Sequence, residues 1–235
     1  RDGLYYSFFS APDFAVNVRI EAAVFTLHGG RLTVDGSFIT EVHVVARVGG
    51  PKRKRATASY WASELNSFNT GFYFVNGTCG GSAFTLGATG KKRCEELYIA
   101  VGHTTATFDA FDWTVRVKGG AVFDRISGPR KRLDVAFSGK AGASARLPHG
   151  IIGQSFASTA PRNGMLDDYP GEGEFTTTAQ AEGAIEGEAA MYEVPNSHAV
   201  GFAFSRFDGA ALPSALAGEA LAAGAAGDAS SSSLT

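Results

Sequence analysis

Cys79 and Cys94, the only two cysteines, are the first residues whose chemistry the sequence suggests. A glycine-rich, basic stretch between two strand-like segments separates them, and an even count at this spacing permits one disulfide. Asn76 lies just upstream in an Asn-Gly-Thr sequon, a potential N-glycosylation site that we place at an exposed turn. Together these features favour an oxidising, secretory compartment, so we expect an extracellular or cell-surface protein. A cytosolic protein with buried thiols is the alternative.

Ten of the 21 lysine and arginine residues lie in three short clusters. The clusters are Lys52, Arg53, Lys54 and Arg55; Lys91, Lys92 and Arg93; and Arg130, Lys131 and Arg132. Each stands beside Gly or Pro, so we predict that each lies in a loop. If the three loops meet at one end of the fold, their summed field could hold a polyanion. Solvated hairpin tips, a convertase-like cleavage site at 52–55 and a nuclear localisation signal are the alternatives.

No group of residues in the sequence forms a recognisable catalytic motif. The five histidines lack metal-ligand spacing, which argues against zinc, and no nucleophile elbow, P-loop or dinucleotide motif occurs. Trp61 and Trp113 could stack on sugars, although Trp113 alternates with core residues. A carboxylate pair for glycoside hydrolysis could be drawn from five glutamates, for which solvated loop charges are the simpler interpretation: Glu172, Glu174, Glu182, Glu186 and Glu188. We expect no enzymatic activity, with a secreted β-sandwich hydrolase as an alternative.

Composition excludes several classes of protein. A net charge of −2 over 235 residues argues against a globally basic nucleic-acid binder, and 44% hydrophobic residues exclude a wholly disordered chain. No apolar stretch approaches the length of a membrane-spanning helix, so we expect no membrane span. The 30 glycines and 8 prolines interrupt helices more than turn-linked strands, which favours an all-β fold. Because the chain begins with Arg1 rather than Met, we expect the numbering to start inside a longer precursor.

Alternation of apolar and polar residues dominates the first 140 positions and predicts about a dozen strands. In the run 14–21, apolar side chains share one face while Asn17, Arg19 and Glu21 take the other. Further strands are predicted over 23–27, 31–34, 37–48, 72–75, 97–101, 111–117, 121–126, 133–137 and 199–207. The glycine-containing pairs at 29–30, 35–36 and 119–120 are predicted as hairpin turns.

These strands predict an all-β fold, a multi-stranded antiparallel sandwich or a barrel-like stack of sheets with long loops. We assign residues 1–207 to a single β-rich domain. Within it, periodicity fades over 139–187, which we expect to be a long, loop-rich segment. Residues 208–235 are rich in Ala, Ser and Gly, so we expect a disordered or weakly helical tail or linker.

The segment 149–156, His-Gly-Ile-Ile-Gly-Gln-Ser-Phe, is the most distinctive stretch. It resembles the Gly-Leu-Cys-Gly-Asn segment of von Willebrand factor type D domains, and still more the Gly-Val-Leu-Gly-Gln-Thr-Tyr segment of plant root-cap and late-embryogenesis-like secreted proteins. Inter-alpha-trypsin inhibitor heavy chains have a similar His-Gly-Leu-Leu-Gly-Gln. The stretches 186–195 and 205–207 also resemble the root-cap pattern. Ile152 stands where type D domains have Cys, and Gln154 replaces their Asn.

The resemblance implies a secreted β-rich module of an extracellular matrix, cell surface or cell wall, with a structural or adhesive role rather than a catalytic one. Other matrix or surface proteins and acidic glycans are the expected partners. It also implies a calcium site at Gln154, Asp167 and Asp168, since oxygen ligands of this kind suit Ca²⁺. A turn capped and stabilised by Asp is the alternative, and otherwise we expect no cofactor. The alternative function is a carbohydrate-binding module for acidic polysaccharides that uses the basic loops.

Overall fold

The computed structural model describes residues 3–66, 71, 74–141, 148–156 and 188–208. Within these residues thirteen strands form two antiparallel sheets, and neither sheet closes into a barrel. The strands are β1 (Leu4–Ala11), β2 (Phe14–Leu27), β3 (Leu32–Val48), β4 (Lys54–Trp61), β5 (Val75–Cys79), β6 (Ser82–Leu86), β7 (Lys91–Cys94), β8 (Leu97–Val101), β9 (Thr105–Ala110), β10 (Trp113–Ala121), β11 (Arg125–Ser127), β12 (Lys131–Gly139) and β13 (Glu193–Val194). The all-β sandwich predicted from the sequence is confirmed.

The two sheets have simple orders. The first sheet runs β13-β1-β2-β3-β4-β5-β6, with β11 pairing to the far end of β2, and the second runs β12-β10-β9-β8-β7. Short 3-10 helices occupy Gly50–Lys52, Ala62–Glu64, Gly153–Phe156 and Ala189–Tyr192. Within the described part of the chain, no helix has the length and hydrophobicity needed to cross a membrane.

The core lies between the facing sides of the two sheets. Ring pairs join them: Tyr60 meets Phe108 at 5.5 Å between centroids, and Phe9 meets Trp113 at 4.8 Å. Trp113 is only 3% exposed, so it packs inside, as its alternation with core residues indicates, and cannot stack on a sugar. A disulfide between Cys79 and Cys94, with their Cα atoms 5.6 Å apart, joins β5 of the first sheet to β7 of the second. The predicted pairing of the two cysteines is therefore confirmed.

Two of the predicted glycine turns are wrong because the glycines lie inside long strands. Gly36 pairs with Ala23 within the β2–β3 hairpin, and Gly120 pairs with Arg132 between β10 and β12. The rings of Phe25 and Phe38 lie 4.9 Å apart beside Gly36, and a Cβ at this glycine would come 3.4 Å from Phe25. Aromatic rings that cover a glycine in this way compensate for its missing side chain in a strand.

The boundaries of β10 also differ from those predicted. The chain reverses at positions 111–112, where Phe111 has a φ of 54°, and β10 then runs from Trp113 to Ala121. The return strand predicted for 121–126 is instead a loop that contains the three-residue β11. A turn at 111–112 leaves the alternation of β10 intact, so the sequence pattern could not place it.

The strand predicted for 199–207 is wrong as well. We call residues 188–208 the covering segment, because it crosses the outer face of the first sheet. Its only strand is β13, which pairs with Tyr5 and Tyr6 of β1. Asn17 donates its side-chain amide to the carbonyls of Ser197 (3.0 Å) and Ala199 (2.6 Å). Side chains of the sheet, rather than a neighbouring strand, therefore satisfy these carbonyls.

Several sequence predictions fall outside the described residues. The loop-rich segment predicted for 139–187 is described only at 139–141 and 148–156. The tail predicted for 208–235 is described only at Asp208, which accepts a hydrogen bond from Arg47 at 2.7 Å.

Candidate functional site

Three neighbouring strands of the first sheet place Arg19, Glu41 and Trp61 in one row on its outer face. Arg19 of β2 pairs with Glu41 of β3, which pairs with Trp61 at the end of β4. Tyr5 of β1 extends the row on the other side of Arg19. Because side chains alternate across a sheet, the apolar neighbours of these residues in the sequence face the core. The register itself thus brings an aromatic ring, a cation and a carboxylate together.

Hydrogen bonds hold Glu41 as an anion. Arg19 Nη1 donates to Glu41 Oε1 at 2.8 Å, while Tyr5 donates its hydroxyl to Oε2 at 3.0 Å and His43 Nε2 lies 2.9 Å from the same oxygen. Burial acts to raise the pKa of Glu41, but the hydrogen bonds from His43, Arg19 and Tyr5 lower that pKa to about 2. The same arrangement raises the pKa of Tyr5, through burial first and then through the adjacent Glu41 carboxylate. Glu41 is therefore ionised throughout the physiological range.

A cavity of about 400 Å³ opens over this row, and we call it the Trp61 pocket. Residues of the sheet and of two loops line it: Arg19, Glu21, Thr40, Glu41, Trp61, Ala62, Ser63, Pro129, Arg130 and Lys131. Arg19 Nη1 also lies 3.3 Å from Glu21 Oε1, so one guanidinium holds two carboxylates. The volume is within the range of small-molecule sites, roughly 300–1,000 Å³. The pocket therefore offers acceptors, donors and an aromatic surface to a small polar ligand.

The third basic cluster reaches the pocket. Arg130 and Lys131 line it, and Lys131 donates its ammonium to the carbonyl of Leu65, which anchors the loop beside the end of β4. Arg130 is exposed, and no carboxylate among the described residues pairs with it. Arg132 faces away, 3.2 Å from Asp134 and over the ring of Phe38. Only two residues of this cluster thus belong to the pocket.

The other two basic clusters lie elsewhere. Lys52 to Arg55 lie at the start of β4, roughly 23 Å of strand away from Trp61 at its end. Lys91 to Arg93 form most of β7, the edge strand of the second sheet. The prediction that each cluster occupies a loop is wrong for Lys91 to Arg93, which lie in β7, and for the residues that begin β4 and β12. The strand pairing of each hairpin extends as far as these charged residues. The three clusters do not meet at one end of the sandwich: Arg55 and Arg93 lie close to the Cys79–Cys94 disulfide, whereas Arg130 and Lys131 lie beside Trp61 at the other end of β4.

A second row on the same face is buried. Asn17, His43 and Ser59 lie side by side on β2, β3 and β4, and none of them is more than 3% exposed. Ser59 Oγ lies 2.8 Å from His43 Nδ1 and 3.0 Å from Nε2 of His198, which belongs to the covering segment. Burial is the main cause that lowers the pKa of His198, to about 4, with the charges of His43 and Arg55 adding to it.

The sequence pattern does not predict this network, because Asn17 and His43 alternate with core residues and such alternates usually face solvent. One feature of the sequence does indicate that this face is buried. Ala15 and Val45 share the outer face with them, which makes that face more apolar than a fully solvated one. Ser59, His43 and Glu41 have the residue types of a hydrolase triad, but Ser59 is 3% exposed and His198 caps its hydroxyl. The arrangement gives a substrate no access to the serine.

Asn76 lies in β5 rather than at a turn, which corrects the predicted position of the sequon. It pairs with Ser59 of β4 and Thr85 of β6, and its side-chain oxygen accepts a hydrogen bond from the Thr85 hydroxyl at 2.9 Å. Gly77, the next residue, must lack a side chain, because a Cβ there would lie 2.1 Å from the carbonyl of Thr57. Glycosylation of Asn76 stays a prediction.

The distinctive segment 149–156 packs against β1. His149 forms a bridge with Ser10, with hydrogen bonds of 2.6 and 2.7 Å, and its ring stacks 5.1 Å from Phe204 of the covering segment. Gly150 has a φ of 96°, and a Cβ there would come 2.8 Å from the Phe8 carbonyl. The glycine thus permits the close approach of two backbones.

Gln154 is the only residue of the implied calcium site that the structure describes; Asp167 and Asp168 lie outside the described residues. Its amide nitrogen donates to the carbonyls of Gly150 and Ile151 and to the Tyr192 hydroxyl, at 3.2 to 3.4 Å. These contacts fit a residue that fixes a turn. Among the described residues, no group of three or more His, Cys, Asp or Glu side chains could hold a metal ion. Of the five glutamates considered for hydrolysis, Glu188 alone is described, and it is exposed.

The fold and the pocket define a class: a disulfide-linked antiparallel β-sandwich with a polar, tryptophan-lined pocket on the outer face of one sheet. Comparisons with protein-family models, with curated proteins and with solved structures found no match to this chain. The resemblance to type D and root-cap proteins therefore stays a prediction.

Proposed function

We propose that this chain is a non-enzymatic extracellular adhesion module that binds an acidic saccharide unit in the Trp61 pocket. One observation carries the proposal. The register places Trp61 beside the ionised Glu41 and its partner Arg19, and Arg130 stands exposed on the wall of the same cavity. This combination suits a sugar, which presents an apolar ring face, hydroxyl groups and, in acidic saccharides, an anionic substituent.

Each feature of an acidic sugar has a matching group in the pocket. The apolar face of the sugar ring packs against the Trp61 ring, as aromatic side chains favour. Sugar hydroxyls donate to the carboxylates of Glu21 and Glu41. A carboxylate or sulfate pairs with Arg130, which forms charge-assisted hydrogen bonds in a planar fork. The ligand class follows from this match.

The electrostatics of the pocket favour binding over hydrolysis. Glycoside hydrolysis requires a carboxylic acid that stays protonated until it protonates the leaving group, and its pKa must therefore be raised. The hydrogen bonds to Glu41 do the opposite, since they lower its pKa to about 2. Ser59 is only 3% exposed, so a substrate cannot reach its hydroxyl, which also argues against the hydrolase alternative.

An extracellular role is supported by the disulfide between Cys79 and Cys94 and by the sequon at Asn76. In a matrix or a cell wall, a module of this kind attaches its chain to acidic glycans. The type D and root-cap resemblance of segment 149–156 is consistent with that setting.

The test is binding of uronic and sulfated oligosaccharides by isothermal titration calorimetry at low salt. We expect binding that is lost near 1 M salt, where the screening length falls to about 3 Å. Trp61→Ala should weaken it by about fivefold to tenfold, and Arg130→Ala by about threefold. Arg53→Ala is the matched control, since Arg53 is also an exposed arginine and lies just before β4, at the end opposite Trp61. No binding at low salt, or equal losses in Arg53→Ala and Arg130→Ala, would overturn the proposal.

A further inference from the structure

The outer face of the second sheet is an open, polar surface. Because Leu97, Ile99 and Val101 of β8 are buried, Tyr98 and Ala100 between them point outward. The register then sets Ala100 beside Thr107 of β9 on one side and Lys91 of β7 on the other. The outward-facing residues of β8, β9 and β10 are half-buried or exposed, unlike the buried row of Asn17, His43 and Ser59.

Two pairs of cations stand on this face. Lys91 and Arg93 lie on β7, and Arg116 and Lys118 lie on β10; all four are exposed. No carboxylate among the described residues forms an ion pair with any of them.

The acidic residues of the same face are already engaged. Asp109 lies 2.6 Å from the ammonium of Lys140, and Asp134 lies 3.2 Å from the guanidinium of Arg132. Lys140 and Arg132 therefore offset these two carboxylates. The four cations of the two pairs remain to attract a negatively charged partner. A chain with a net charge of −2 thus carries a local excess of positive charge on one flat surface.

Small side chains separate most of the two cation pairs. Ala100, Thr105 and Thr107 lie between them on β8 and β9, and three strand spacings make the separation about 14 Å. In line with Arg93, Tyr98 and Asp109 take these positions, and Asp109 is the carboxylate paired with Lys140. Two lines of long basic side chains therefore border a shallow trough parallel to the strands. We call it the basic trough. The Tyr98 ring lies in it, with the Arg93 guanidinium 5.3 Å from the ring centroid.

We propose that the basic trough is a second binding site, whose occupant is an extended sulfated or uronic polysaccharide chain lying along β8 and β9. Anionic groups on the two edges of the chain meet the two cation pairs, the threonine hydroxyls bind sugar hydroxyls, and Tyr98 packs against a sugar ring. The ligand class rests on the proposed function, but the trough shares no residue with the Trp61 pocket. A polymer long enough to reach both sites gains affinity from two contacts.

The experiment measures the affinity of the whole chain for a heparin octasaccharide at low salt. Arg116→Ser combined with Lys118→Ser removes one cation pair. We expect it to weaken binding by about fivefold to tenfold, as two exposed ion pairs allow. Lys52→Ser combined with Lys54→Ser is the matched control, because it removes two exposed lysine charges that lie outside the second sheet, in the 3-10 helix at 50–52 and at the start of β4. The control should weaken binding by less than about twofold.

A Trp61→Ala variant separates failure of the trough from failure of the pocket. Loss of affinity in Trp61→Ala but not in the trough variant overturns the trough and leaves the proposed function in place. Loss in the trough variant alone supports the trough and overturns the pocket. Equal loss in the trough variant and the lysine control shows an effect of net charge only and overturns the trough. Tighter binding of a duplex DNA of matched charge would make nucleic acid the occupant and overturn the polysaccharide.

Discussion

The outer faces of the two sheets have nearly the same sequence pattern and opposite environments. On the first sheet, Asn17 and His43 alternate with core residues but are buried under the covering segment. On the second sheet, Arg116 and Lys118 alternate with core residues in the same way and stay exposed. The polar side chains of the buried face are bonded to one another and to the covering segment. Those of the open face are available to a ligand.

The difference shows how burial changes what a polar residue does. A buried polar group loses its hydration and must find a hydrogen-bond partner, so Glu41 collects three donors and becomes part of the framework. An exposed charge loses little when it has no partner, so Arg116 contributes little to stability and can serve binding. The Trp61 pocket lies at the boundary, where the buried network reaches solvent.

The largest effect should come from breaking the buried network at Glu41. Glu41→Ala leaves Arg19, His43 and Tyr5 without their shared acceptor, and we expect the free energy of unfolding to fall by about 3–5 kcal/mol. Urea unfolding at neutral pH measures it. Asp134→Ala, which removes an exposed carboxylate from the open face, is the control and should change stability by less than about 0.5 kcal/mol. A similar loss of unfolding free energy in both variants would show that polar residues on the two faces contribute equally to stability.

Removing the apolar contact that holds the covering segment should have the next largest effect. Phe207 is 3% exposed, packs on Ala15 and Val45, and lies 4.8 Å beneath the Arg47 guanidinium. We expect Phe207→Ala to cost about 3 kcal/mol of unfolding free energy. Tyr98→Ala on the open face should cost clearly less, because Tyr98 is half-buried. Limited proteolysis near residue 207 should become faster in Phe207→Ala, and unchanged proteolysis together with unchanged stability would contradict the account.

Acidification should destabilise the covered face in two steps. The pKa of His198 falls from 6.5 to about 4 on folding, so the unfolded chain binds the extra proton and stability decreases as pH falls between these values. The pKa of Glu41 falls from 4.5 to about 2, so its contribution is lost over that lower window. Melting temperature measured against pH should show both. His198→Gln should remove the upper step, and a persistent upper step in this variant would assign it to another group.

The smallest effect on stability is expected for the open face. Arg116→Ser combined with Lys118→Ser should change the free energy of unfolding by no more than about 0.5 kcal/mol. The same variant should lose polysaccharide affinity. Comparing its affinity with its free energy of unfolding therefore separates a binding role from a structural one. A large destabilisation measured by urea unfolding would show that these cations stabilise the sheet.

Much of the fold could be predicted because alternation is a local property. Val42 and Val44 alternate with polar neighbours whether or not the opposite face is covered, and the resulting strand is the same. The covering segment is more than 140 residues away in the sequence, so the apolar residues Ala15 and Val45 are the one local sign that Asn17 is buried. Gly36 illustrates a second limit: an Asp-Gly pair suits a tight turn, and only the ring of Phe25 packed beside the glycine explains why the strand continues.

The site was less predictable for a similar reason. Trp61, Arg130 and Lys131 were each noticed from the sequence, but only the register of β2, β3 and β4 and the course of the 122–130 loop bring them together. Arg19 and Glu41 each alternate with core residues, so neither is distinctive within its own segment. Their pairing depends on which residues face each other across strands, which no single segment of sequence encodes.

The most direct test uses the two tryptophans of the chain in a ¹H–¹⁵N nuclear magnetic resonance titration with a uronic oligosaccharide. Trp61 lines the pocket, whereas Trp113 is 3% exposed and serves as an internal control. We predict that the indole N–H signal of Trp61 shifts with increasing ligand in a saturable manner while that of Trp113 stays in place. A titration in which Trp61 does not respond, or in which both indoles shift equally, would contradict saccharide binding in the Trp61 pocket.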